Sequence, residues 1–353
     1  MKRITIFALA VSLLALLTAG CSKKSSEAPF DGVSGAVSTN HVVDQSAIIP
    51  DSITFKSELQ RFTVIEHLVF LGERDTVRRA VTVTFRRVLN DNEFIRAERD
   101  FSGFVFDGSY WQALPYTKAR HDSSRVDIGY NFPSGGLDWD AGHKSGRMHY
   151  NWRGVKVGVE FSGIEAVQSN TNGEINRRSH GIGKGVMTFG ADTLAGTVIY
   201  ELIQLDGYNP INKVNAGIEY TNYDWIALLD GETTLIASSD STTAGDKILK
   251  NFALLQTNSG LSFADGSAKV RINSDGLTRD RKIYDTIALK KSLSIPELNL
   301  TFSVDLVEPR IFYTSGYCLS VVSGTLEHAG STKSVWGIVE HWQQPKADGS
   351  VLR

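Results

Sequence analysis

From about Asp51 onward, apolar and polar residues alternate with a period of two. Val81-Thr82-Val83-Thr84-Phe85 does so, as do Val155-Lys156-Val157-Gly158-Val159-Glu160-Phe161 and the shorter run from Ala268 to Asn273. Leu300-Thr301-Phe302-Ser303-Val304-Asp305-Leu306 is the clearest case. In an extended chain, alternation places apolar side chains on one face, so these runs predict strands with one face buried. Between them recur Asp107-Gly108, Asn172-Gly173, Asp206-Gly207, Asp230-Gly231, Asp265-Gly266 and Asp275-Gly276. Asp, Asn and Gly accept the positive φ angles of tight hairpins. No long window has helical spacing, and only Thr243 to Leu255 leaves room for a short helical turn. Many short strands joined by hairpin turns predict an all-β chain of antiparallel barrels or sandwiches.

The N-terminus follows a different pattern. Met1-Lys2-Arg3 is basic, Ile4 to Leu17 is apolar apart from Thr5 and Ser12, and Leu17-Thr18-Ala19-Gly20-Cys21 has the order of a bacterial lipobox. A basic start, an apolar run and small residues before a cleavage site form a signal-peptide pattern. The Cys after Ala-Gly predicts acylation at Cys21 after removal of residues 1–20. Ser22 to about Ser46 is rich in Ser, Gly, Lys and Glu and reads as a flexible tether. An Asp after the lipidated Cys is a familiar inner-membrane retention signal, and Ser22 in its place points to the outer membrane. The expected layout is a signal over 1–20, lipidated Cys and tether over 21–48, one β domain over 49–204, a second over 205–345, and a tail over 346–353.

Composition narrows the function classes. About 330 residues follow the predicted cleavage site, enough for two modest domains. Net charge is −2 for the whole chain, and loss of Lys2 and Arg3 makes it more acidic. Nucleic-acid binding normally needs a basic excess, and none is present. Cys318 is the only Cys besides Cys21, so a packed core replaces a disulfide framework.

The strongest enzymatic signatures are missing: there is no His-Glu-x-x-His, Cys-x-x-Cys or Gly-x-Ser-x-Gly. The eight His are scattered, so no metal site follows from spacing. Gly181-Ile182-Gly183-Lys184-Gly185 lacks the features of a phosphate loop and reads as a glycine-rich turn before a strand. Other clusters are better candidates. Asp224, between Tyr223 and Trp225 at a predicted strand start, is a candidate acid with a raised pKa. In His149-Tyr150-Asn151-Trp152-Arg153, Tyr150 and Trp152 share one strand face and become candidate ligand contacts. Glu201 and Glu340 occupy matching late positions in two similar strand–turn–strand segments, Gly185 to Leu202 and Leu319 to Trp342, an echo of duplication. A solvent face is the default for each Glu; a lumen face would require a partner such as Arg310 or a ligand.

Gly185 to Glu201, Tyr223-Asp224-Trp225 with Leu228-Leu229-Asp230-Gly231, and the closing hairpin Tyr317 to Trp342 together resemble the lipocalin-like carotenoid 1,2-hydratase (hydroxyneurosporene synthase) family. The resemblance covers roughly residues 180–342. It implies two antiparallel lipocalin-like barrels packed side by side, a hydrophobic small-molecule site in or between them, and no metal or organic cofactor. Members commonly carry Trp-x-Asp-His-Glu-Trp where this chain has Val198-Ile199-Tyr200-Glu201-Leu202-Ile203, so only the acid Glu201 matches. The candidate catalytic pair is Asp224 helped by Glu201, and the candidate ligand contacts are Tyr200, Tyr223 and Trp225 with Tyr150 and Trp152 from outside the resemblance. Three functions remain open at this point. One is a membrane-anchored protein that binds a lipid or isoprenoid-like molecule. Another is a hydratase or lyase acting on an unsaturated apolar substrate. The third is a surface lipoprotein that binds a partner or carbohydrate, with Trp111, Tyr116, Trp139 or Trp152 as stacking platforms.

Overall fold

The computed structural model describes residues 38–39, 61–90, 98–120, 130–140, 144–152, 154–170, 176–206, 208–209, 214–215, 218–242, 251–265, 270–280, 285–314 and 317–343. Cys21, the signal segment, the tail and most of the tether lie outside these residues. Within the tether, Ser38–Thr39 forms a two-residue strand, β1, against a later strand, so this part departs from the uniformly free tether expected.

Two curled antiparallel sheets make up the described body, one a nearly closed barrel and the other a half-barrel. The N-terminal sheet comprises β2 (Arg61–Arg74), β3 (Val77–Asn90), β4 (Glu98–Phe106), β5 (Trp111–Arg120), β6 (Tyr130–Phe132), β7 (Gly135–Trp139), β8 (Gly146–Trp152), β9 (Val155–Asn170), β10 (Asn176–Phe189) and β11 (Asp192–Asp206). Their order is β5-β4-β3-β2-β11-β10-β9-β8-β7-β6. A short ribbon, β12 (Tyr208–Asn209) and β13 (Val214–Asn215), leads to the C-terminal sheet. That sheet holds β14 (Ile218–Leu229), β15 (Thr234–Thr242), β16 (Phe252–Thr257), β17 (Gly260–Asp265), β18 (Asn273–Asp280), β19 (Asp285–Ile295), β20 (Leu300–Thr314), β21 (Tyr317–His328) and β22 (Ser331–Gln343). Its order is β1-β17-β16-β15-β14-β22-β21-β20-β19-β18. The all-β, two-unit, lipocalin-like fold expected from the sequence is the fold observed.

The two sheets follow the same path. Each opens with a four-strand meander, and its first strand then pairs with its last, β2 with β11 and β14 with β22. The registers match as well. His67 pairs with Glu201 and Leu71 with Thr197 in one sheet; Trp225 pairs with Glu340 and Leu229 with Trp336 in the other. The closing hairpins that echo one another in sequence thus hold equivalent places.

Three apolar clusters follow from strand periodicity. Val64, Leu68, Phe70, Val83, Phe85 and Tyr150 belong to the cluster inside the N-terminal sheet. Ile226, Leu228, Leu293, Phe302 and Val339 belong to the one inside the C-terminal sheet. The residues of opposite parity, including Val69, Leu71 and Ile199 with Trp225, Phe252, Trp336 and Ile338, join the two sheets face to face. Strands β2, β11, β14 and β22 are therefore buried on both faces.

Several local expectations change. Asp107-Gly108 and Asp230-Gly231 are turns, with Gly108 and Gly231 at positive φ. Asp275-Gly276 instead sits within β18. Gly276, at φ 66°, is skipped by the ladder as Asp275 pairs with Lys290 and Leu277 with Ala288. The register is the same on either side, so no residue is inserted, and Gly276 uses the αL freedom of a turn inside a continuous ladder. Of the described part of the run Ala268 to Asn273, Val270 to Asn273, only Asn273 enters a strand, although Val270 and Ile272 are buried and Arg271 is exposed. Gly181 to Gly185 lies within β10, not in a turn. Its ladder with β9 shifts register between Ile182 and Lys184. Residues Phe252–Leu255, at the end of the candidate helical turn, are strand. Asn172-Gly173, Gly207 and Gly266 lie outside the described residues.

Candidate functional site

Period-two geometry decides where each candidate points. Asp224 is inside β14, not at a strand start, and shares the inner face with Ile226 and Leu228. Trp225, one residue on, points the opposite way into the cluster between the sheets. It therefore cannot flank a reaction at Asp224. The side chains of Tyr223 and Trp152 lie outside the described residues. Glu201 is on the outer face of β11 and faces the C-terminal sheet, so it does not assist Asp224. Tyr200 and Tyr150 are buried inside the N-terminal sheet. Tyr150 stacks on Phe101 with ring centroids 5.5 Å apart.

Around Asp224 the curling sheet brings β18 and β19 against β14 and β22. Lys291 Nζ donates to Asp224 Oδ1 at 2.6 Å and to Ser274 Oγ at 2.7 Å. His341 Nδ1 lies 2.8 Å from Asp224 Oδ1, and Ser274 Oγ donates to Asp224 Oδ2 at 3.5 Å. Burial pushes the Asp224 carboxyl up, but the charge and hydrogen bonds of Lys291 and His341 outweigh it and hold the group well below the usual carboxylate range. This corrects the expectation of a raised pKa. An ionised carboxylate can only accept, so His341 Nδ1 carries the proton, and in the neutral ring Nε2 is the acceptor. The 3.4 Å approach of Lys291 Nζ to Nδ1 is then a contact between two donors. Asp224, Lys291 and His341 are buried, Ser274 is exposed, and the cluster reaches water on the Ser274 side. Ile226, Leu293 and Val339 form its apolar floor, each two residues from a cluster member on the same strand face.

A second cluster lies between the sheets. His67 Nε2 is 2.9 Å from Thr82 Oγ1 and 3.2 Å from Glu340 Oε1, while Nδ1 is 3.6 Å from Glu201. Thr82 Oγ1 donates to Glu340 at 3.0 Å, so Thr82 oxygen accepts from His67. His180 Nδ1 is 3.5 Å from Glu201, and its ring stacks on Phe252 with centroids 3.7 Å apart. Trp225 meets His67 edge-on at 5.0 Å. Burial alone lowers the His67 pKa. The charge of Glu340, its hydrogen bond and those of Glu201 prevail and raise the pKa to about 10. Both Glu201 and Glu340 are buried, contrary to the solvent-face default, because each sits on the face that joins the sheets. Arg310, the partner named for a lumen-facing Glu, has its side chain outside the described residues.

Inside the N-terminal sheet, Glu66 holds the register position equivalent to Asp224: it opposes Leu202 as Asp224 opposes His341. It accepts from Tyr200 Oη at 2.7 Å and Trp139 Nε1 at 3.0 Å. Burial and the Glu66 carboxylate push the Tyr200 phenol well above its ordinary pKa. This pocket is packed with Phe85, Phe101, Tyr130 and Phe161.

Of the candidate stacking platforms, Trp111 is buried between the sheets and Trp139 is partly buried against the core. Tyr116 is exposed. A surface cleft of about 310 Å³ lies among hairpin turns, lined by residues that include Asp230, Glu232, Asn258, His328 and Lys333.

Sequence reasoning missed Lys291, His341, Ser274, His67, Thr82 and Glu66. One signal was available for Lys291, which falls on the same parity as Leu293 and Ile295. His67 and Glu66 sit in a strand whose apolar residues fall on both parities, so period-two analysis does not single them out.

No family profile matches the chain, and no curated protein sequence matches it. Solved structures do match. One, assigned as AttH and from Nitrosomonas europaea, superposes with a TM-score of 0.59 at 12% identity over 83% of this chain and 98% of the other. Kievitone hydratase from Nectria haematococca gives a TM-score of 0.56 at 12% identity over 88% and 94%. At such identities the likeness establishes a shared fold, and neither protein bears the name carotenoid 1,2-hydratase.

Proposed function

We propose that the C-terminal sheet carries a cofactor-independent acid–base site that adds water to, or eliminates it from, an apolar unsaturated small molecule. His341 and Lys291 handle protons, and Asp224 positions both. The observation behind this reading is the Asp224 carboxylate bonded at 2.6 and 2.8 Å to two proton-carrying groups above an apolar floor. Ionic groups buried this way cost desolvation energy that apolar packing would avoid, and such clusters concentrate at functional sites. Orientation of His341 by Asp224 leaves Nε2 to take a proton from water or return it. That a protein of this fold is named a hydratase supports the same reading. The test is turnover of unsaturated apolar compounds in ¹⁸O-labelled water by chain carrying Cys21→Ser. His341→Gln should reduce turnover by about 10²-fold or more. No label incorporation by the parent chain would sink the proposal.

Binding without turnover is the second reading. It is favoured by the internal bonding of the cluster, in which Asp224 is already bonded to Lys291 and His341, and Lys291 also to Ser274. Native mass spectrometry would then show a stoichiometric lipid or isoprenoid-like ligand, equally retained by His341→Gln.

We also propose that Cys21 is acylated and tethers the chain to a bacterial membrane, the outer membrane in a Gram-negative cell. The basic–apolar–small–Cys order supports this. Labelled palmitate should enter the parent chain, and Cys21→Ser should abolish labelling and release the protein to the soluble fraction.

A further inference from the structure

We infer that the substrate of the Asp224 site is a conjugated carbonyl compound, an enone or the corresponding β-hydroxy ketone, and not an isolated alkene. This rests on the acid–base reading of the site and narrows it to one chemical class. Acid strength separates the two substrate classes. Water adds to an isolated alkene only after a strong acid protonates carbon and creates a carbocation. In this cluster the strongest conventional acid, a carboxylic acid, is missing because Asp224 is bonded at 2.6 Å to an ammonium and at 2.8 Å to an imidazole N–H. Its pKa is held low, so its proton has already gone. The groups that do carry protons are an ammonium and an imidazole, which are weak acids as a class. The ring of Trp225, which would favour a carbocation by its π-face, points to the other side of the strand.

The same groups suit conjugate addition. That reaction needs a cationic donor at a carbonyl oxygen and a base for water, and it passes through an enolate, not a carbocation. Lys291 has three N–H donors. One goes to Asp224 and one to Ser274; Nζ is buried, so a substrate carbonyl taking the third would have to reach it past Ser274, the exposed member of the cluster. His341 Nε2 removes a proton from water as its oxygen bonds to the β-carbon. The C=C π pair moves to form the α-carbon–carbonyl-carbon double bond, and the carbonyl π pair passes to oxygen, giving an enolate that Lys291 stabilises by hydrogen bonding. The imidazolium of His341 then returns the proton to the α-carbon, the carbonyl re-forms, and the net change is addition of one water. Dehydration of the β-hydroxy ketone is the reverse sequence.

The test pairs benzylideneacetone and its β-hydroxy ketone hydrate with citronellol, whose alkene is isolated. Each is incubated in ¹⁸O-labelled water with the Cys21→Ser chain. Label gained by the enone, loss of water from the hydrate and no change in citronellol are expected. Hydration of citronellol but not of the enone would overturn the inference while leaving an acid–base site in place. No reaction with either would overturn the proposed function itself. A binding readout guards against a variant that merely misfolds. The absorption of bound benzylideneacetone should move to longer wavelength in the parent chain and in Lys291→Arg, and not in Lys291→Met. An equal shift in Lys291→Met would show that Lys291 does not touch the carbonyl.

Discussion

At the scale of the residue, the decisive fact is that Asp224 is an ion. Its folded pKa lies below its unfolded value of about 3.9, so the stability it contributes is fully present above that range and is lost as pH falls toward the folded value. Asp224→Asn removes this dependence and strands the Lys291 ammonium in an apolar interior. We therefore expect the variant to be destabilised by about 3–5 kcal/mol at pH 7. The gap from the parent should narrow as pH falls below about 4. Urea unfolding at a series of pH values measures both, and a gap that stays constant to pH 3 would refute an ionised Asp224. In assays, the same variant should alter the pH–rate profile, because an amide that can donate as well as accept no longer fixes the tautomer of His341.

At the scale of the element, what could be read from the sequence depended on how many faces of a strand are buried. Leu300 to Leu306 alternates in burial as it does in sequence, because one side of β20 faces water. In β14 and β22 both sides are buried, so Trp225 and Asp224 look like neighbours in one aromatic patch yet serve opposite faces. Residue types alone revealed Asp224 and Glu201 as unusual. The partners came from strands distant in the chain, and no local pattern specifies which strand curls over which. Turn chemistry was equally ambiguous, since Asp-Gly marks a hairpin at Asp230-Gly231 and a mid-strand αL glycine at Asp275-Gly276. Gly276 lies two residues from Ser274 in the same strand. Gly276→Ala should cost about 1–2 kcal/mol through its φ of 66°. Gly276→Asn should cost less, because Asn tolerates this region. Chemical denaturation of both variants distinguishes this backbone cost from crowding, which would rank them the other way.

At the scale of the whole molecule, the two sheets share a path and a register but differ at equivalent positions, and the seam between them uses the difference. Glu201 and Glu340 are equivalent and face each other's sheet. Across from them in the ladder stand His67 in one sheet and Trp225 in the other, so the repeat supplies two carboxylates and one imidazole. Two buried carboxylates at one seam would repel, and the proton on His67 makes them compatible. The charged and titratable groups around it are Glu201 on β11, Glu340 on β22 and, beyond Glu201, His180 on β10. The folded pKa of about 10 exceeds the unfolded value near 6.5, so this contribution is complete below about pH 6.5 and declines as pH rises toward 10. Parent protein should thus lose stability steadily between pH 7 and 10. His67→Gln should start about 3–5 kcal/mol lower and show a much flatter decline. Thr82→Val should cost about 1 kcal/mol, since it removes a hydroxyl that relays His67 to Glu340 while both ions remain. Trp225 lies 5.0 Å from the His67 ring, so its fluorescence reports the imidazole's charge directly. A titration of that signal centred near pH 6.5 would mean that the seam holds a neutral histidine and that the two sheets are joined by apolar packing alone.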